Sequence, residues 1–189
     1  MPETPRPRRT FLGVAIDDET KALLAAHLAA HLPSDPPGKP VPPQNWHLTL
    51  RFLGASTDTQ IERVLYDLSN GDLAAPFVIR FGSMGAFPRP GRASVLFLRV
   101  DRGSDDLGSL AAACEEAAVG AGFNPEDRPF REHLTLARIR PPANVSPLID
   151  VVPLFAARVP VEEITVFESH SDRDGVTYEA IETMRLTPG

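Results

Sequence analysis

The chain has 189 residues, of which 42% are apolar and 23% are charged, and its net charge is −6 at neutral pH. This size and composition fit one soluble globular domain, or two small lobes that share an interface. The acidic balance argues against a protein that coats nucleic acid by bulk charge, although a local basic cleft stays open. Cys114 is the only cysteine, which excludes an intrachain disulfide framework and a cysteine-based zinc site.

The sequence contains no apolar run that is long enough to cross a membrane. Its first residues are charged and rich in proline, with no apolar signal core behind them. We therefore expect a cytoplasmic protein. The acidic composition and the lack of an evident apolar surface patch make a monomer the expected state.

The first part of the chain predicts a strand, a helix and a second strand. Residues 10–16 form a short apolar run that is typical of a buried strand. A helix is predicted over 18–32, capped by an aspartate and with Leu23 and Leu24 in its apolar stripe. A proline-rich loop follows, because proline removes a backbone donor and ends regular structure. The alternating segment 45–53 then predicts a strand.

A second helix is predicted to end near Ser69, because Thr57 and Gln60 have the spacing of a capping box. Residues 76–82 predict another strand, and 83–92 are predicted as a loop on their glycines and prolines. The later elements predicted are a strand over 93–100, a helix capped by Ser104 or Asp105, a strand over 130–139, a loop-rich stretch over 141–153, and strands over 161–168 and 176–182. Asp174-Gly175 between the last two strands is a typical hairpin turn.

The tetrapeptide His-Leu-Thr-Leu occurs twice, at 47–50 and at 133–136, each time after a strand, a helix and a proline-containing loop. Such self-similarity indicates a duplicated strand–helix–strand unit, at about 10–53 and 93–139. Trp46 shares the face of the leucines and is predicted to lie in the core.

Each repeated strand presents one imidazole and one hydroxyl on the same face, because side chains in a strand alternate between two faces. His47 and Thr49 therefore point the same way, roughly 6.6 Å apart, and His133 and Thr135 do likewise. Two imidazoles can act as general acid and general base, and two hydroxyls can donate to phosphate oxygens. This set suits in-line displacement at phosphorus without a metal.

The repeated motifs and their surroundings resemble the two-histidine (2H) phosphoesterase superfamily. More narrowly, the chain is similar to the bacterial and archaeal RNA 2′,3′-cyclic phosphodiesterases, also called 2′-5′ RNA ligases. The segments that carry the resemblance are FLGVAID at 11–17, NWHLTLRFLG at 45–54, MGAFPRPGRASVLFL at 84–98, RPFREHLTLAR at 128–138 and VFESHSDRDGVTYEAI at 166–181. Glu132 departs from the family, which usually has proline before the second histidine.

The resemblance implies an α+β fold in which one domain, 1–189, consists of two pseudo-symmetric lobes. Each lobe has an antiparallel sheet with outer helices, and the active-site cleft lies between them. The implied reaction is hydrolysis of a terminal RNA 2′,3′-cyclic phosphate to a 2′-phosphate, with reverse 2′-5′ ligation. His47 would be the general acid and His133 the general base, while Thr49 and Thr135 would hold the phosphate. No metal and no cofactor are implied, and tRNA fragments are one candidate substrate.

Several arginines and one aromatic residue are candidates for RNA binding. Arg131 lies near the second motif, and Arg92 and Phe87 belong to the loop predicted at 83–92, where Phe87 could stack on a base. Arg131 is about equally compatible with a structural ion pair. Arg138 falls on the leucine face by strict alternation, which favours a structural role unless a bulge intervenes.

Two other functions stay open on the sequence alone. A phosphodiesterase of the same superfamily could act on a small cyclic phosphate or a 2′,5′-linked oligonucleotide. A nucleotide- or RNA-binding module without turnover is the third interpretation, and the two matched histidines argue against it.

Overall fold

A computed structural model describes residues 7–173 and 175–187 of the chain, with nine strands and four α-helices in that part. The helices are α1 (Asp18–His31), α2 (Asp58–Ser69), α3 (Ser104–Gly120) and α4 (Ser146–Val151). The strands are β1 (Arg8–Ala15), β2 (Lys39–Pro40), β3 (His47–Ser56), β4 (Phe77–Phe87), β5 (Ala93–Arg102), β6 (His133–Ala143), β7 (Arg158–Val161), β8 (Glu163–Ser171) and β9 (Val176–Arg185). Of the described helices, none is long and apolar enough to span a bilayer.

The strands form one curled antiparallel sheet in the order β7-β4-β5-β6-β3-β1-β8-β9, and β2 pairs with β6 beside this path. The order is symmetric about its centre, because β6, β5, β4 and β7 correspond in turn to β3, β1, β8 and β9. Leu48 opposite Leu134 is the register position that joins the two halves. The predicted α+β fold with two similar antiparallel lobes is confirmed.

One hydrophobic core serves both lobes. Its cluster of buried side chains includes Leu48 and Leu134 from the two repeated motifs. Helix α3 of the second repeat packs against both α2 and β3 of the first. Trp46 is 5% exposed and belongs to this core, as its place on the leucine face predicts. We propose on this basis that the chain is a single domain made of two lobes.

The helix starts follow the predicted caps in two of three cases. Asp17 caps α1 by accepting a hydrogen bond from the backbone N–H of Thr20 at 2.7 Å, and α2 begins with the predicted capping box. The predicted cap of α3 is wrong, because Gly103 occupies the cap position at φ +80°. The hydroxyl of Ser104 instead donates to the carbonyl of Val100 at 3.2 Å, so it does not cap the helix.

Strand β4 continues to Phe87, so the loop predicted there is wrong over its first half. Gly82, which ends the predicted strand, and Gly85, one of the glycines that suggested the loop, lie under side chains of the neighbouring strand β5. A Cβ on Gly82 would lie 1.9 Å from the carboxylate of Asp101, and a Cβ on Gly85 would lie 2.6 Å from the ring of Phe97. Glycine is therefore used here to let another side chain approach the backbone, and the strand is uninterrupted.

The loop-rich stretches also hold regular structure that the sequence did not indicate. The proline-rich loop contributes β2, in which Lys39 lies opposite Arg138. Strand β6 and helix α4 occupy most of 141–153. The final hairpin is confirmed, with Ser171 opposite Val176 and Gly175 at φ +144°. Asp174, the other half of the predicted turn, lies outside the described residues.

Leu23 and Leu24 give a direct test of which face of α1 packs on the core. Leu24 is fully buried, whereas Leu23 is 55% exposed, so the predicted stripe is wrong at Leu23. We expect Leu24→Ala to reduce the free energy of unfolding by about 2–5 kcal/mol, because it leaves a cavity. The matched change Leu23→Ala should cost less than about 0.5 kcal/mol. Urea titration of both variants measures the difference, and equal losses would contradict this packing.

Candidate active site

The two repeated motifs lie on the adjacent strands β3 and β6, and the leucine pair Leu48–Leu134 sets their register. Antiparallel pairing, continued by one residue on each side, places His47 opposite Thr135 and Thr49 opposite His133. Each histidine therefore faces the threonine of the other lobe. The leucines point into the core, so the four polar side chains share the opposite face of the sheet.

Both imidazoles are held in the same way by the backbone. Nδ1 of His47 lies 2.7 Å from the carbonyl oxygen of Asn45, and Nδ1 of His133 lies 2.7 Å from that of Arg131. Because a carbonyl oxygen only accepts, Nδ1 must carry the proton in both rings. Nε2 is thus the atom that gains or loses a proton. In His47 it lies 3.1 Å from the hydroxyl of Thr49, which donates to it when the ring is neutral.

Aromatic rings enclose His47 on the first lobe. Its ring centroid lies 4.7 Å from that of Phe11, 5.6 Å from that of Phe167 and 4.9 Å from that of Tyr178. Phe167 and Tyr178 belong to the C-terminal hairpin β8–β9, so both ends of the chain build this wall. The rings exclude water from most of the imidazole and fix its plane.

The wall beside His133 combines aromatic rings with cations. Phe87 meets the imidazole edge-on at 5.1 Å and stacks on Phe97 at 4.2 Å between centroids. The guanidinium of Arg131 lies over the Phe87 ring at 5.8 Å, and Arg99 lies over the Phe97 ring at 5.5 Å. Arg99 is also the cross-strand partner of His133.

The environment lowers the pKa of both histidines, which disfavours the charged imidazolium. The pKa of His47 is lowered to about 4: burial is the main cause, the Asn45 hydrogen bond opposes the shift, and charge repulsion from His133, Arg138 and Lys21 adds to it. Burial also lowers the pKa of His133, with Arg138 adding to the shift. Both rings are therefore largely neutral at pH 7 in the free protein.

Glu132, where the family usually has proline, has a measurable electrostatic consequence. Its carboxylate raises the pKa of His133, which opposes part of the lowering by burial and by Arg138. The effect is smaller than that of burial, and the backbone contact of His133 Nδ1 is intact. The second motif therefore keeps, with Glu132 present, the same backbone contact that holds His47 in the first motif.

A β-bulge interrupts alternation at the same point of both motifs. Leu136 is the extra residue in β6 against β5, and Leu50 is the extra residue in β3 against β1. A bulge of this kind shifts the following side chains to the other face. Phe52 and Arg138, each five residues after the histidine of its repeat, therefore lie on the histidine face. The alternation-based prediction that Arg138 shares the leucine face is wrong, for this reason.

The bulge in β3 turns Arg51 inward, where it is 5% exposed. Its guanidinium forms ion pairs with Glu115 of α3 and with Glu126, the latter at 3.2 Å, and donates to the carbonyl oxygens of Phe52 and Asn124. This network satisfies the buried cation and ties the first motif to the helix behind it.

The two residues turned by the bulges differ in chemistry. Arg138 brings a cation whose field reaches both histidines, as the pKa shifts of His47 and His133 show. Phe52 brings a ring that is 57% exposed and lies 5.8 Å from Phe11. Sequence reasoning passed over Phe52, and it counted Arg99 only as one of several arginines over 80–102 that could contact phosphate. The identical position of Phe52 and Arg138 in the two repeats was the signal that could have found the first.

The structure brings most of the predicted site residues together. His47, Thr49, His133 and Thr135 share one face, and Phe87 with Arg131 lies beside His133, although Phe87 ends a strand and is not in a loop. Arg92 is not part of this group. It is exposed in the turn before β5, seven residues from Arg99, or roughly 20 Å along the strand.

Within residues 7–173 and 175–187, no group of three or more His, Cys, Asp and Glu side chains is placed to hold a metal ion. Cys114 is fully buried, and burial raises the pKa of its thiol to about 12, so it is unreactive at neutral pH.

Comparison with known proteins agrees with this architecture. The RNA 2′,3′-cyclic phosphodiesterase of Thermus thermophilus is 32% identical over 188 residues, which cover 94% of this chain and 90% of that protein. The protein of the same name from Aeropyrum pernix is 30% identical over 149 residues, 77% of this chain and 84% of that one. The crystal structure of E. coli LigT complexed with 3′-AMP has a TM-score of 0.77 at 26% identity, covering 96% of this chain and 99% of LigT.

The family model described as the 2′-5′ RNA ligase superfamily matches residues 17–173, which include both repeated motifs. This match and the coverage of the relatives confirm the resemblance that the motifs indicate. The chain belongs to the 2′-5′ RNA ligase superfamily.

Proposed function

We propose that the protein is a hydrolase that opens a terminal RNA 2′,3′-cyclic phosphate to a 2′-phosphate by metal-independent acid–base catalysis. The observation that carries this proposal is that the two motifs lie on adjacent antiparallel strands with Leu48 opposite Leu134, which brings two histidines and two threonines to one sheet face. Relatives named RNA 2′,3′-cyclic phosphodiesterase support the reaction class. The cyclic phosphate would lie between the motifs, with the hydroxyls of Thr49 and Thr135 donating to its non-bridging oxygens.

In this mechanism water attacks phosphorus while Nε2 of His133 takes its proton. The bond between phosphorus and the 3′ oxygen breaks on the opposite side, and Nε2 of His47 gives its proton to that oxygen. A P–OH group and a free 3′ hydroxyl result, and the phosphate stays on the 2′ oxygen. The pair ends with Nε2 of His133 protonated and Nε2 of His47 deprotonated, so a proton exchange with solvent resets it.

The low pKa of His47 is compatible with its role as general acid once substrate is bound. The cyclic phosphate carries a negative charge, and an adjacent opposite charge favours the imidazolium form. Arg138 lies on the same face and would share the phosphate charge through its guanidinium fork. Binding of the anion would thus raise the pKa of His47 in the complex and prepare the proton that the leaving oxygen needs.

The same site would support 2′-5′ ligation. A 5′ hydroxyl in the place of water gives a 2′,5′ phosphodiester by the same two proton transfers, and the reverse reaction cleaves it. The family description, 2′-5′ RNA ligase superfamily, supports this extension.

We propose RNA 3′ ends in the cytoplasm as substrates, with tRNA fragments among them, and a monomeric enzyme. Arg131 and Phe87 are proposed to contact the terminal nucleotide, because their side chains lie over one another beside His133. Arg92 is exposed in the turn before β5, three residues from Val95, which lies opposite Phe87, and we propose that it contacts the RNA beyond the terminal nucleotide.

The decisive experiment is incubation with an RNA that ends in a 2′,3′-cyclic phosphate, in the presence of EDTA. We expect full turnover to a 2′-phosphate product, because the two histidines transfer the protons and the threonine hydroxyls bind the phosphate without a metal. The product is resolved against 2′-phosphate and 3′-phosphate standards. A 3′-phosphate product would contradict the assigned leaving group. Activity that EDTA abolishes and a divalent ion restores would contradict the metal-independent mechanism.

A further inference from the structure

Three arginines face one another across neighbouring strands of the second lobe. Arg80 of β4 lies opposite Arg102 of β5 on one side and opposite Arg158 of β7 on the other. Directly opposed residues share a face and are about 5 Å apart. Like charges in this arrangement destabilise a sheet unless an anion compensates them.

The structure provides no such anion from the described part of the chain. None of the three guanidiniums forms a salt bridge within 4.0 Å among residues 7–173 and 175–187. Nε of Arg80 is buried and has no hydrogen-bond partner. Asp101, the neighbouring acid, lies over Gly82 beside the row and pairs with none of them. Among the described residues, the row is therefore a concentrated positive charge without a salt bridge, and it has an unsatisfied donor at its centre.

The arginine row is on the same face of the sheet as the histidines. Arg80 alternates with Ile79 and Phe81, which are fully buried in the core, so it points away from the core as His133 and Thr135 do. Arg99, the cross-strand partner of His133, precedes Arg102 by three residues on β5. This separation corresponds to about 10 Å along the strand.

Charge distinguishes the two directions in which an RNA could leave the site. Across the second lobe, the arginines of β4, β5 and β7 outnumber the acids: Arg80, Arg99, Arg102 and Arg158 against Asp101. The corresponding strands β1, β8 and β9 of the first lobe carry an acidic excess: Glu163, Glu168, Glu179 and Glu182 against Arg8, Arg9 and Arg185. A polyanion that passes the histidines is therefore attracted over β5, β4 and β7.

We propose that Arg102, Arg80 and Arg158 form a second phosphate-binding subsite, which holds the backbone of the RNA on the 5′ side of the cyclic end. This proposal rests on the proposed function. Stacked nucleotides rise about 3.4 Å each, so a 10 Å distance corresponds to roughly three nucleotides from the reacting phosphate. Arginine recognises phosphate through its planar fork, and phosphate contacts carry no base information. The subsite thus selects chain length without selecting sequence.

The test compares two substrates, a nucleoside 2′,3′-cyclic monophosphate and a longer RNA oligonucleotide with the same cyclic end. The variants are Arg80→Glu, Arg102→Glu and Arg158→Glu, and Arg63→Glu on the exposed surface of α2 is the matched charge-reversal control. We expect each row variant to raise the ratio of the oligonucleotide KM to the mononucleotide KM roughly tenfold, and to reduce the salt dependence of oligonucleotide binding by about 0.7 per lost contact. Arg63→Glu should leave the ratio at the wild-type value.

A binding experiment, in which fluorescence anisotropy measures the affinity for an oligonucleotide that ends in a 2′-phosphate, keeps the proposed function and the proposed subsite distinguishable. Absence of turnover in the wild type would contradict the proposed function, and the anisotropy of the row variants would still test the subsite. Wild-type oligonucleotide affinity in all three variants would overturn the subsite. Equal KM increases for both substrates would overturn it too. Arg102 and Arg158 are exposed, so their variants remain informative if Arg80→Glu fails to fold.

Discussion

Alanine in place of His47 or His133 is expected to lower kcat for hydrolysis of an RNA 2′,3′-cyclic phosphate by about 10²–10⁴-fold, since each ring transfers a proton in the transition state. The backbone contacts of Nδ1 at 2.7 Å show that each ring has only Nε2 free for that transfer. Steady-state kinetics on one oligonucleotide substrate measure the loss. His31→Ala, on the exposed end of α1, is the matched control and should retain wild-type kcat.

An aryl phosphodiester substrate distinguishes the roles of the two histidines, because its leaving group departs without being protonated. A general acid becomes unnecessary on this substrate, so His47→Ala should recover most of its deficit while His133→Ala should not. The opposite pattern would exchange the two assignments. Wild-type turnover of the RNA substrate in either single variant would remove that histidine from the mechanism.

Arg138→Gln is expected to lower kcat/KM by about 10–10²-fold, because it removes a charged hydrogen-bond donor from the phosphate. It should also move the pH profile. In the wild type the pKa values of both histidines are lowered from 6.5, that of His47 to about 4, and kcat/KM should be highest at a pH between these two lowered values. Arg138 lowers both values, and its removal raises both. The apparent pKa values of the two limbs of the profile are properties of the histidine pair and not of either ring alone. Both limbs should therefore shift to higher pH.

Arg138→Lys separates the charge of this residue from its geometry. A lysine keeps the cation, so the limbs of the profile should stay near their wild-type positions, while the bidentate fork is lost and kcat/KM falls. The experiment is a pH series of kcat/KM for the wild type and both variants. A glutamine variant whose profile does not move would contradict the electrostatic link between Arg138 and the histidines.

The sequence predicted the two motifs and their shared face because alternation in a strand is a local rule. It could not predict the bulges at Leu50 and Leu136, which depend on the pairing of each strand with its neighbour. Arg138 was for that reason assigned to the wrong face. Phe52 was overlooked for the same reason, although it occupies the equivalent position.

Other differences arise from packing between elements that are distant in sequence. Strand β4 passes Gly82 and Gly85 without a break because Asp101 and Phe97 of β5 lie over them, a contact that composition alone does not reveal. Leu23 and Leu24 are adjacent and chemically identical, and only the position of the sheet decides which of them is buried. The arginine row likewise exists only because β4 lies between β5 and β7.

The place of the C-terminal hairpin in the first lobe has a consequence for biosynthesis. His47 is made early, whereas Phe167 and Tyr178, which enclose its ring, follow only when β8 and β9 are synthesised. Strand β1 also lacks its partner β8 until that moment. A nascent chain therefore holds the first histidine without the walls that bury it and lower its pKa. Under the proposed function, competence to cleave RNA would be acquired only after β8 and β9 have been made, and a chain that stops before them would carry both motifs without the wall around His47.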